Sequence, residues 1–372
     1  MAALNKRWVG TTAVFSLLTN WAPISLRNAG YSWTASGSGT GEYYLRTAAN
    51  GDPGISDPGT TTGAITGNDL SFANGTMGSL AVSQFDYGDN DALGYSTIYV
   101  RLADGADPDS KTLDWVKLYQ VPVATDHVRI PAGSGAITGV DYTSVAIGDF
   151  IVEEGYTGTI GTAVLPLGID PNKFEFSGTG TSYIYSIGAI AHDVRNAGTG
   201  STGTAGLYLT GTGISTLTVY KGVVGLAMLH GQTSTATTVR VNGPSATVYL
   251  GNGVTVTTTY VANGSLYQYC AATTTNAFGG KLYTEEVGTI TTLNMDGAAQ
   301  AWLNSTGTIT TVNMLAGYTG TVNMLQSAEA RTITTLNHKA GTIKVDRGIV
   351  TITTYAVTDS KPQAIAITSA AA

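Results

Sequence analysis

The side chains that could do chemistry in this chain are few and widely separated. Cleavage of a glycosidic bond usually needs two carboxylates facing one cleft, or carboxylates with a metal and a basic residue. Beyond residue 200 the carboxylates are Glu285, Glu286, Asp296, Glu329, Asp346 and Asp359, and none lies one repeat away from another. Earlier candidates are Asp126, Asp141, Asp149, Glu153 and Glu154. The sequence therefore predicts a protein that is not an enzyme, with a polysaccharide-degrading enzyme as the least favoured alternative.

Metal and cofactor chemistry has equally little support. The four histidines, His127, His192, His230 and His338, are scattered, and the single cysteine, Cys270, has no ligand spacing around it and is expected to be a small buried side chain. Two acidic stretches, residues 86–91 and 104–109, are dense enough in carboxylates to suit Ca²⁺, yet they match neither the EF-hand loop nor the glycine-rich nonapeptide repeat. We expect solvated turns there, with a structural Ca²⁺ as the alternative, and no other cofactor.

A repeated hexapeptide dominates the C-terminal half. It has the form apolar, Ser/Thr, Thr, variable, any, apolar, and it starts at residues 214, 236, 256, 272, 290, 309, 333 and 352. A period near twenty residues with apolar side chains in fixed phase is typical of a solenoid, because one coil cannot bury its own apolar face. The sequence predicts an all-β fold, a right-handed parallel β-helix with coils of about 20 residues.

Within a copy such as Ile290 to Met295, the alternation of a strand places Leu293 and Met295 inward and Asn294 outward. Ile290 and Leu293 are three residues apart, so we expect the hydroxyl pair between them to lie at a bend. The fifth position holds asparagine in four successive copies. We expect these asparagines to form a hydrogen-bonded structural ladder: Asn276, Asn294, Asn313 and Asn337. The alternative is a polar face that docks against another copy of the chain or a glycan.

Changes in composition divide the chain into three parts. Residues 1–123 contain four of the five tryptophans, lack the repeat, and are predicted to be a separate β-rich domain that attaches the protein to a partner. Residues 124–357 are predicted to be the parallel β-helix, and residues 358–372 a C-terminal cap or tail. Aromatic side chains are enriched at the centres of interfaces, so Trp8 and Trp21 are nominated as attachment contacts.

The bulk composition excludes several functional classes. Formal net charge is −7 and the 18 basic residues are dispersed, which argues against a nucleic-acid partner. The apolar run near the N-terminus is interrupted by glycine and threonine and has no small-residue cleavage site, so no cleaved signal peptide is expected. No apolar stretch is long enough for a membrane span. An apolar fraction of 42% is enough to fill a long core.

The Gly-Thr-Ile-Thr-Thr-Leu-Asn copies, the segment Asp126 to Pro131 and the phrase Tyr156 to Gly161 together resemble β-helical virion proteins of tailed bacteriophages. The resemblance covers residues 124–357. It implies a non-enzymatic structural protein located on the virion, at the capsid surface and outside the cell. Such a protein would be a capsid decoration protein or head fibre whose partner is the major capsid protein or another virion protein.

The sequence also allows a second function and an oligomeric state. The chain could instead be a tail spike or adhesin that binds host surface glycans, for which exposed aromatic residues are candidates: Tyr249, Tyr260, Tyr267 and Tyr269. Phage spikes of this architecture are often trimers, so the resemblance also allows a homotrimer, although no heptad segment in this sequence would enforce one.

Overall fold

A computed structural model describes residues 5–8, 24–25, 33–46, 65–67, 70–88, 97–111, 116–118, 121–188, 191–198, 206–229, 231–286, 288–357 and 366–367. In this part of the chain the structure is all-β, and its one helix is a short 3-10 turn, Pro108–Ser110. The chain divides into two compact units, residues 1–130 with 147–149, and residues 131–146 with 150–372.

The first unit is built from short strands. In chain order these are β1 (Asn5–Arg7), β2 (Ile24–Ser25), β3 (Thr34–Ala35), β4 (Tyr43–Arg46), β5 (Ile65–Gly67), β6 (Leu70–Ser71), β7 (Ala73–Asn74), β8 (Gln84–Gly88), β9 (Thr97–Arg101), β10 (Val116–Leu118) and β11 (His127–Ile130). Two small sheets form, with strand orders β3-β4-β9-β8-β7 and β2-β10-β5-β6, and β1 pairs in parallel with β11.

Apolar side chains fill the core of the first unit. The cluster consists of Trp33, Leu45, Ile65, Phe72, Phe85, Ile98, Val100 and Leu102. The carboxylate of Glu42 is also buried, and it accepts hydrogen bonds from the backbone N–H groups of Gly78 (2.9 Å) and Leu80 (2.7 Å). Lys6 and Asp126, both nearly inaccessible, form a buried ion pair with 3.7 Å between nitrogen and oxygen. A buried charge needs such partners, so these contacts help to fix the loops of the unit.

The remaining strands form the solenoid. They are β12 (Asp141–Val152), β13 (Leu167–Phe176), β14 (Ser182–Ser186), β15 (Ala191–Val194), β16 (Leu207–Leu226), β17 (Ser234–Leu250), β18 (Val254–Val261), β19 (Ser265–Gln268), β20 (Ala272–Ala277), β21 (Lys281–Thr284), β22 (Ile290–Met295), β23 (Gln300–Leu303), β24 (Ile309–Met314), β25 (Thr321–Asn323), β26 (Arg331–His338), β27 (Thr342–Val345), β28 (Val350–Val357) and β29 (Ala366–Ile367).

Each coil contributes one strand to each of two parallel columns. From β17 to β29, every strand pairs in parallel with the strand two further along the chain. We call the column through the motif copies of β16 and β17 and through β18, β20, β22, β24, β26 and β28 the motif sheet. The column through the C-terminal parts of β16 and β17 and through β19, β21, β23, β25, β27 and β29 is the second sheet. The predicted β-solenoid is confirmed, with about 11 turns at a spacing of about 20 residues.

The register of the motif sheet follows the sequence repeat. Ile214 pairs with Ala236, and the first positions of all later copies pair in succession down to Ile333 with Ile352. Burial within β22 places the first, fourth and sixth side chains inside. In a flat strand, residues three apart point to opposite faces, so both can be inside only where the chain bends. Thr291, the second position, is missing from the backbone pairing of β22 with its neighbouring strands, so the bend lies at this residue.

Close stacking of coils makes some glycines irreplaceable. A β-carbon added to Gly243, at the corner between the two halves of β17, would lie 1.6 Å from the carbonyl oxygen of Tyr220 in the preceding coil. We expect Gly243→Ala to lower the free energy of unfolding by about 3 kcal/mol, since two paired backbones must separate. Denaturant unfolding followed by circular dichroism measures the loss. The matched variant Gly317→Ala meets only the rotatable carboxylate of Asp296, and an equal loss there would contradict the argument.

Candidate functional site

The asparagines of the motif sheet form one continuous column. Asn294 Nδ2 donates to Asn276 Oδ1 (2.9 Å), Asn313 Nδ2 donates to Asn294 Oδ1 (2.8 Å), and Asn337 Nδ2 donates to Asn313 Oδ1 (2.8 Å). All four are half-buried and occupy successive coils in register. The arrangement is structural: Asn294 and Asn313 each donate to one neighbour and accept from the other, Asn276 accepts at one end and Asn337 donates at the other, and these bonds fix the coils against slipping.

We expect Asn313→Ala, which breaks two bonds of this column at its centre, to lower the free energy of unfolding by about 2 kcal/mol. Chemical denaturation would measure the difference. Thr310 lies exposed on the same strand, and Thr310→Ser is the control, expected to change stability by less than about 0.5 kcal/mol. Equal effects of the two substitutions would show that the column contributes nothing.

The second sheet carries a column of stacked aromatic rings on its outer face. Ring centroids are 4.7 Å apart between Tyr249 and Tyr267, 4.4 Å between Tyr267 and Tyr283, and 4.6 Å between Tyr283 and Trp302. The planes differ by 14°, 4° and 9°. The rings therefore cover one another's faces, and the column presents mainly ring edges and hydroxyl groups to solvent. Burial, and after it the neighbouring Tyr267 ring, raises the pKa of Tyr283.

The structure separates the four aromatic residues nominated from the sequence. Tyr249 and Tyr267 belong to the stacked column. Tyr260 lies on the motif sheet, under the guanidinium of Arg240 at 4.4 Å from the ring centroid. Tyr269 lies in the turn after β19, where burial first and then the charge of Glu285 raise the pKa of its hydroxyl. Only Tyr249 and Tyr267 stack on each other, and Tyr269 lies near enough to both for their hydroxyl groups to interact electrostatically.

Sequence reasoning missed Tyr283 and Trp302, which complete the aromatic column. The signal was present in the spacing, since Tyr249, Tyr267, Tyr283 and Trp302 follow one another at intervals of 18, 16 and 19 residues, as the motif copies do. Backbone pairing puts Tyr249 opposite Tyr267, Tyr267 opposite Tyr283, and Tyr283 opposite Trp302.

Polar groups flank the C-terminal end of the aromatic column. Asn304 lies two residues beyond Trp302, on the same outward side of the chain, and its Nδ2 donates to Glu285 Oε1 at 3.1 Å. The other amide atom, Asn304 Oδ1, is buried and has no hydrogen-bond partner. Glu286 is exposed beside Glu285. A carboxylate, an amide and an indole therefore meet at one point of the solenoid surface.

The histidines lie apart and have different surroundings. His338 is inward, in register with Met314 as its repeat position predicts, and its ring nitrogens lie 3.0 Å from Tyr355 OH and 3.1 Å from the Gly341 carbonyl oxygen. His127 contacts Asp149 at 2.9 Å. His192 is 1% exposed, and both of its ring nitrogens lack a hydrogen-bond partner. His230 lies outside the described residues.

Carboxylates of the two acidic stretches are engaged by the protein itself. Asp86 accepts from Met77 N–H and Tyr87 N–H, both at 2.9 Å, while residues 89–91 lie outside the described part. Asp107 caps the 3-10 turn, and Asp109 accepts from Trp33 N–H at 2.8 Å. Within the described ranges there is no group of three or more His, Cys, Asp or Glu side chains that could hold a metal ion. The Ca²⁺ alternative stays a prediction.

Of the two tryptophans nominated as attachment contacts, only Trp8 is among the described residues. Trp8 is fully buried, and its backbone N–H donates to the Arg129 carbonyl oxygen at 2.9 Å. In this conformation its side chain is core rather than a surface contact. Trp21 lies outside the described residues.

Two polar features inside the solenoid were not anticipated. Thr259 and Thr275 occupy the inward fourth position of the motif, and their hydroxyls contact each other at 3.0 Å and Gln268 Oε1 at 3.4 and 3.3 Å. Gln268 in turn donates to the Cys270 carbonyl oxygen at 3.3 Å. Cys270 is a free thiol and buried, as expected, and burial raises its pKa to about 12, so the thiol is held in its unreactive neutral form.

The second unanticipated feature is Arg331 at the start of β26. Its buried guanidinium donates to the carbonyl oxygens of Leu303, Met324 (2.6 Å), Ser327 (2.7 Å) and Glu329 (3.1 Å). The longest interval between motif copies, 24 residues, contains this loop. Arg331 therefore anchors the largest insertion of the described repeats to the body of the solenoid.

No helix among the described residues has the length and apolar character needed to cross a membrane. Searches against protein-family models, curated proteins and solved structures found no match to this chain.

Proposed function

We propose that this protein is a non-enzymatic structural component of a tailed-bacteriophage particle, a capsid decoration protein or head fibre. In this proposal residues 1–123 attach to the major capsid protein or another virion protein, and the solenoid projects from the surface. The observation that carries the proposal is the uninterrupted register of the motif sheet over eight copies. Such a stack suits a rigid projecting element, because each motif copy is hydrogen-bonded to the next along the column.

The contacts of the solenoid's carboxylates support a structural role. Glu285 is bonded to Asn304, Asp296 Oδ1 accepts from Gly297 N–H (2.8 Å), and Asp346 Oδ1 accepts from Gly348 N–H (2.8 Å). Glu285 links two adjacent coils, and the two aspartates each stabilise a turn within one coil. Acid and base catalysis on a glycan would instead need two carboxylates turned toward one cleft.

Electron cryomicroscopy of purified particles that contain the protein tests the proposal. We expect density at capsid symmetry positions, with the first unit nearest the shell and a narrow β-helical rod extending outward. Density confined to the tail tip would overturn capsid decoration. Absence from every particle would overturn the virion assignment altogether and leave a cellular surface protein as the better account.

A second candidate function, binding of host surface glycans by a tail spike or adhesin, is favoured by the half-buried aromatic column on the outer face: Tyr249, Tyr267, Tyr283 and Trp302. Aromatic side chains flanked by amides and carboxylates are a common setting for sugars, since the rings contact C–H bonds and the polar groups bind hydroxyls. Tail-tip density together with binding of purified protein to host cells would favour this candidate. The trimer stays a prediction.

A further inference from the structure

The aromatic column ends in an indole that has an aromatic partner on only one face. Tyr283 stacks on one side of Trp302. On the other side, the next coil presents Asn323 in register. The side chain of Asn323 is turned to its own backbone, because its Oδ1 accepts from Leu325 N–H at 3.0 Å. The column therefore ends at Trp302, and a flat ring could stack there in place of a further aromatic side chain.

Hydrogen-bonding groups lie beside that indole. Asn304 and Trp302 project from the same side of the chain, two residues apart. The carboxylate of Glu285 is within 3.1 Å of Asn304 Nδ2, and Asn304 Oδ1 has no partner. Leu325 is an exposed apolar side chain, 40% accessible, just beyond Asn323. The surface thus combines an apolar platform with a carboxylate acceptor near its edge.

We propose that Trp302, Asn304 and Glu285 form a binding site for one neutral pyranose ring of a surface glycan. The C–H face of the sugar stacks on the indole face that Tyr283 leaves uncovered, and its hydroxyls donate to the carboxylate of Glu285, which Asn304 Nδ2 positions. This goes beyond the structural role proposed above and does not depend on where the protein sits on a particle.

The charge of the surroundings selects the class of sugar. Glu285 and Glu286 are adjacent carboxylates, one half-buried and the other exposed. They repel uronates and other anionic sugars, while an ionised carboxylate is a strong acceptor for neutral hydroxyl groups. A neutral hexopyranose fits both conditions.

Saturation-transfer NMR and tryptophan fluorescence on the full-length chain test the site, with methyl β-galactopyranoside and methyl α-glucopyranoside as neutral probes and glucuronate as the anionic probe. We expect at least one neutral probe to bind saturably, with Kd on the order of 1 mM, as a small ligand on an open surface would. Glucuronate should bind at least about tenfold more weakly, and Glu285→Gln should reduce that discrimination.

The decisive variant is Trp302→Ala, which should weaken binding of the neutral probe by about tenfold or more. Tyr208→Ala removes a stacked ring elsewhere on the solenoid, 4.7 Å from the centroid of the Tyr183 ring, and is the matched control, expected to leave affinity within about twofold. Circular dichroism establishes that both variants are folded. If neither neutral probe saturates, or if affinity survives Trp302→Ala, the site does not exist, and the capsid location measured on particles is unaffected by that result.

Discussion

Replacing Arg331 by methionine is expected to lower the free energy of unfolding by about 4 kcal/mol, the largest single effect in the solenoid. The guanidinium is 3% exposed and donates to four backbone carbonyl groups. Methionine fills a similar volume but leaves those carbonyl oxygens without donors, and an unpaired buried acceptor costs far more than a hydrogen bond contributes. Burial lowers the pKa of Arg331, yet an arginine stays charged at neutral pH.

Equilibrium unfolding in guanidinium chloride gives the magnitude, and hydrogen exchange of residues 324–330 shows whether the loop is released. Arg347→Met removes an exposed arginine close in sequence and should cost less than about 0.5 kcal/mol. Arg331→Lys retains the charge with fewer donors and should recover only part of the loss. A wild-type midpoint for Arg331→Met would contradict the anchoring role.

The second large effect is a loss of stability on acidification that depends on His192. The imidazole packs against Phe174, with ring centroids 4.8 Å apart, and burial lowers its pKa from 6.5 to about 4. The unfolded chain therefore binds a proton that the folded chain does not between about pH 6.5 and 4. The free energy of unfolding consequently falls as the pH drops through that window, by about 3 kcal/mol in total at its lower end.

We expect His192→Leu to abolish this part of the acid dependence. At pH 7 the variant should also be more stable than the wild type by about 1 kcal/mol, because two buried nitrogen atoms without partners are replaced by an apolar side chain. Unfolding free energies measured from pH 7 to 4 for both proteins give the difference. Thr310→Ser, an exposed substitution that removes no titratable group, should keep the wild-type slope, and a His192→Leu protein with that same slope would refute the assignment.

Much of the solenoid could be predicted because the spacing of the repeat shows which residues of successive coils stack on one another. The first motif position pairs with itself from coil to coil, and the inward side chains of β22 are those that alternation and the bend require. The asparagine column could be read in the same way, since a side chain at fixed phase has one neighbour above and one below.

Other features depend on turns, and turn lengths vary from coil to coil. The second sheet begins after turns of unequal length, so Tyr283 and Trp302 do not hold one fixed offset from the motif. The burial of Arg331 could not be predicted from the sequence, because only the folded loop places the carbonyl groups of Met324 and Ser327 around its guanidinium. Thr259 and Thr275 fill inward positions that the pattern assigns to apolar residues. Their buried hydroxyl groups are tolerated because both donate to Gln268 Oε1 from another strand.

The asparagine column also has a direction. Every amide donates toward the preceding coil, so the dipoles of Asn294, Asn313 and Asn337 point the same way and reinforce one another. At the C-terminal end, Asn337 faces Ala356, whose methyl group cannot donate a hydrogen bond. The column therefore has a net dipole, and the side-chain oxygen of Asn337 at its C-terminal end receives no hydrogen bond from residue 356. Ala356→Asn would supply a donor there and extend the column by one side chain.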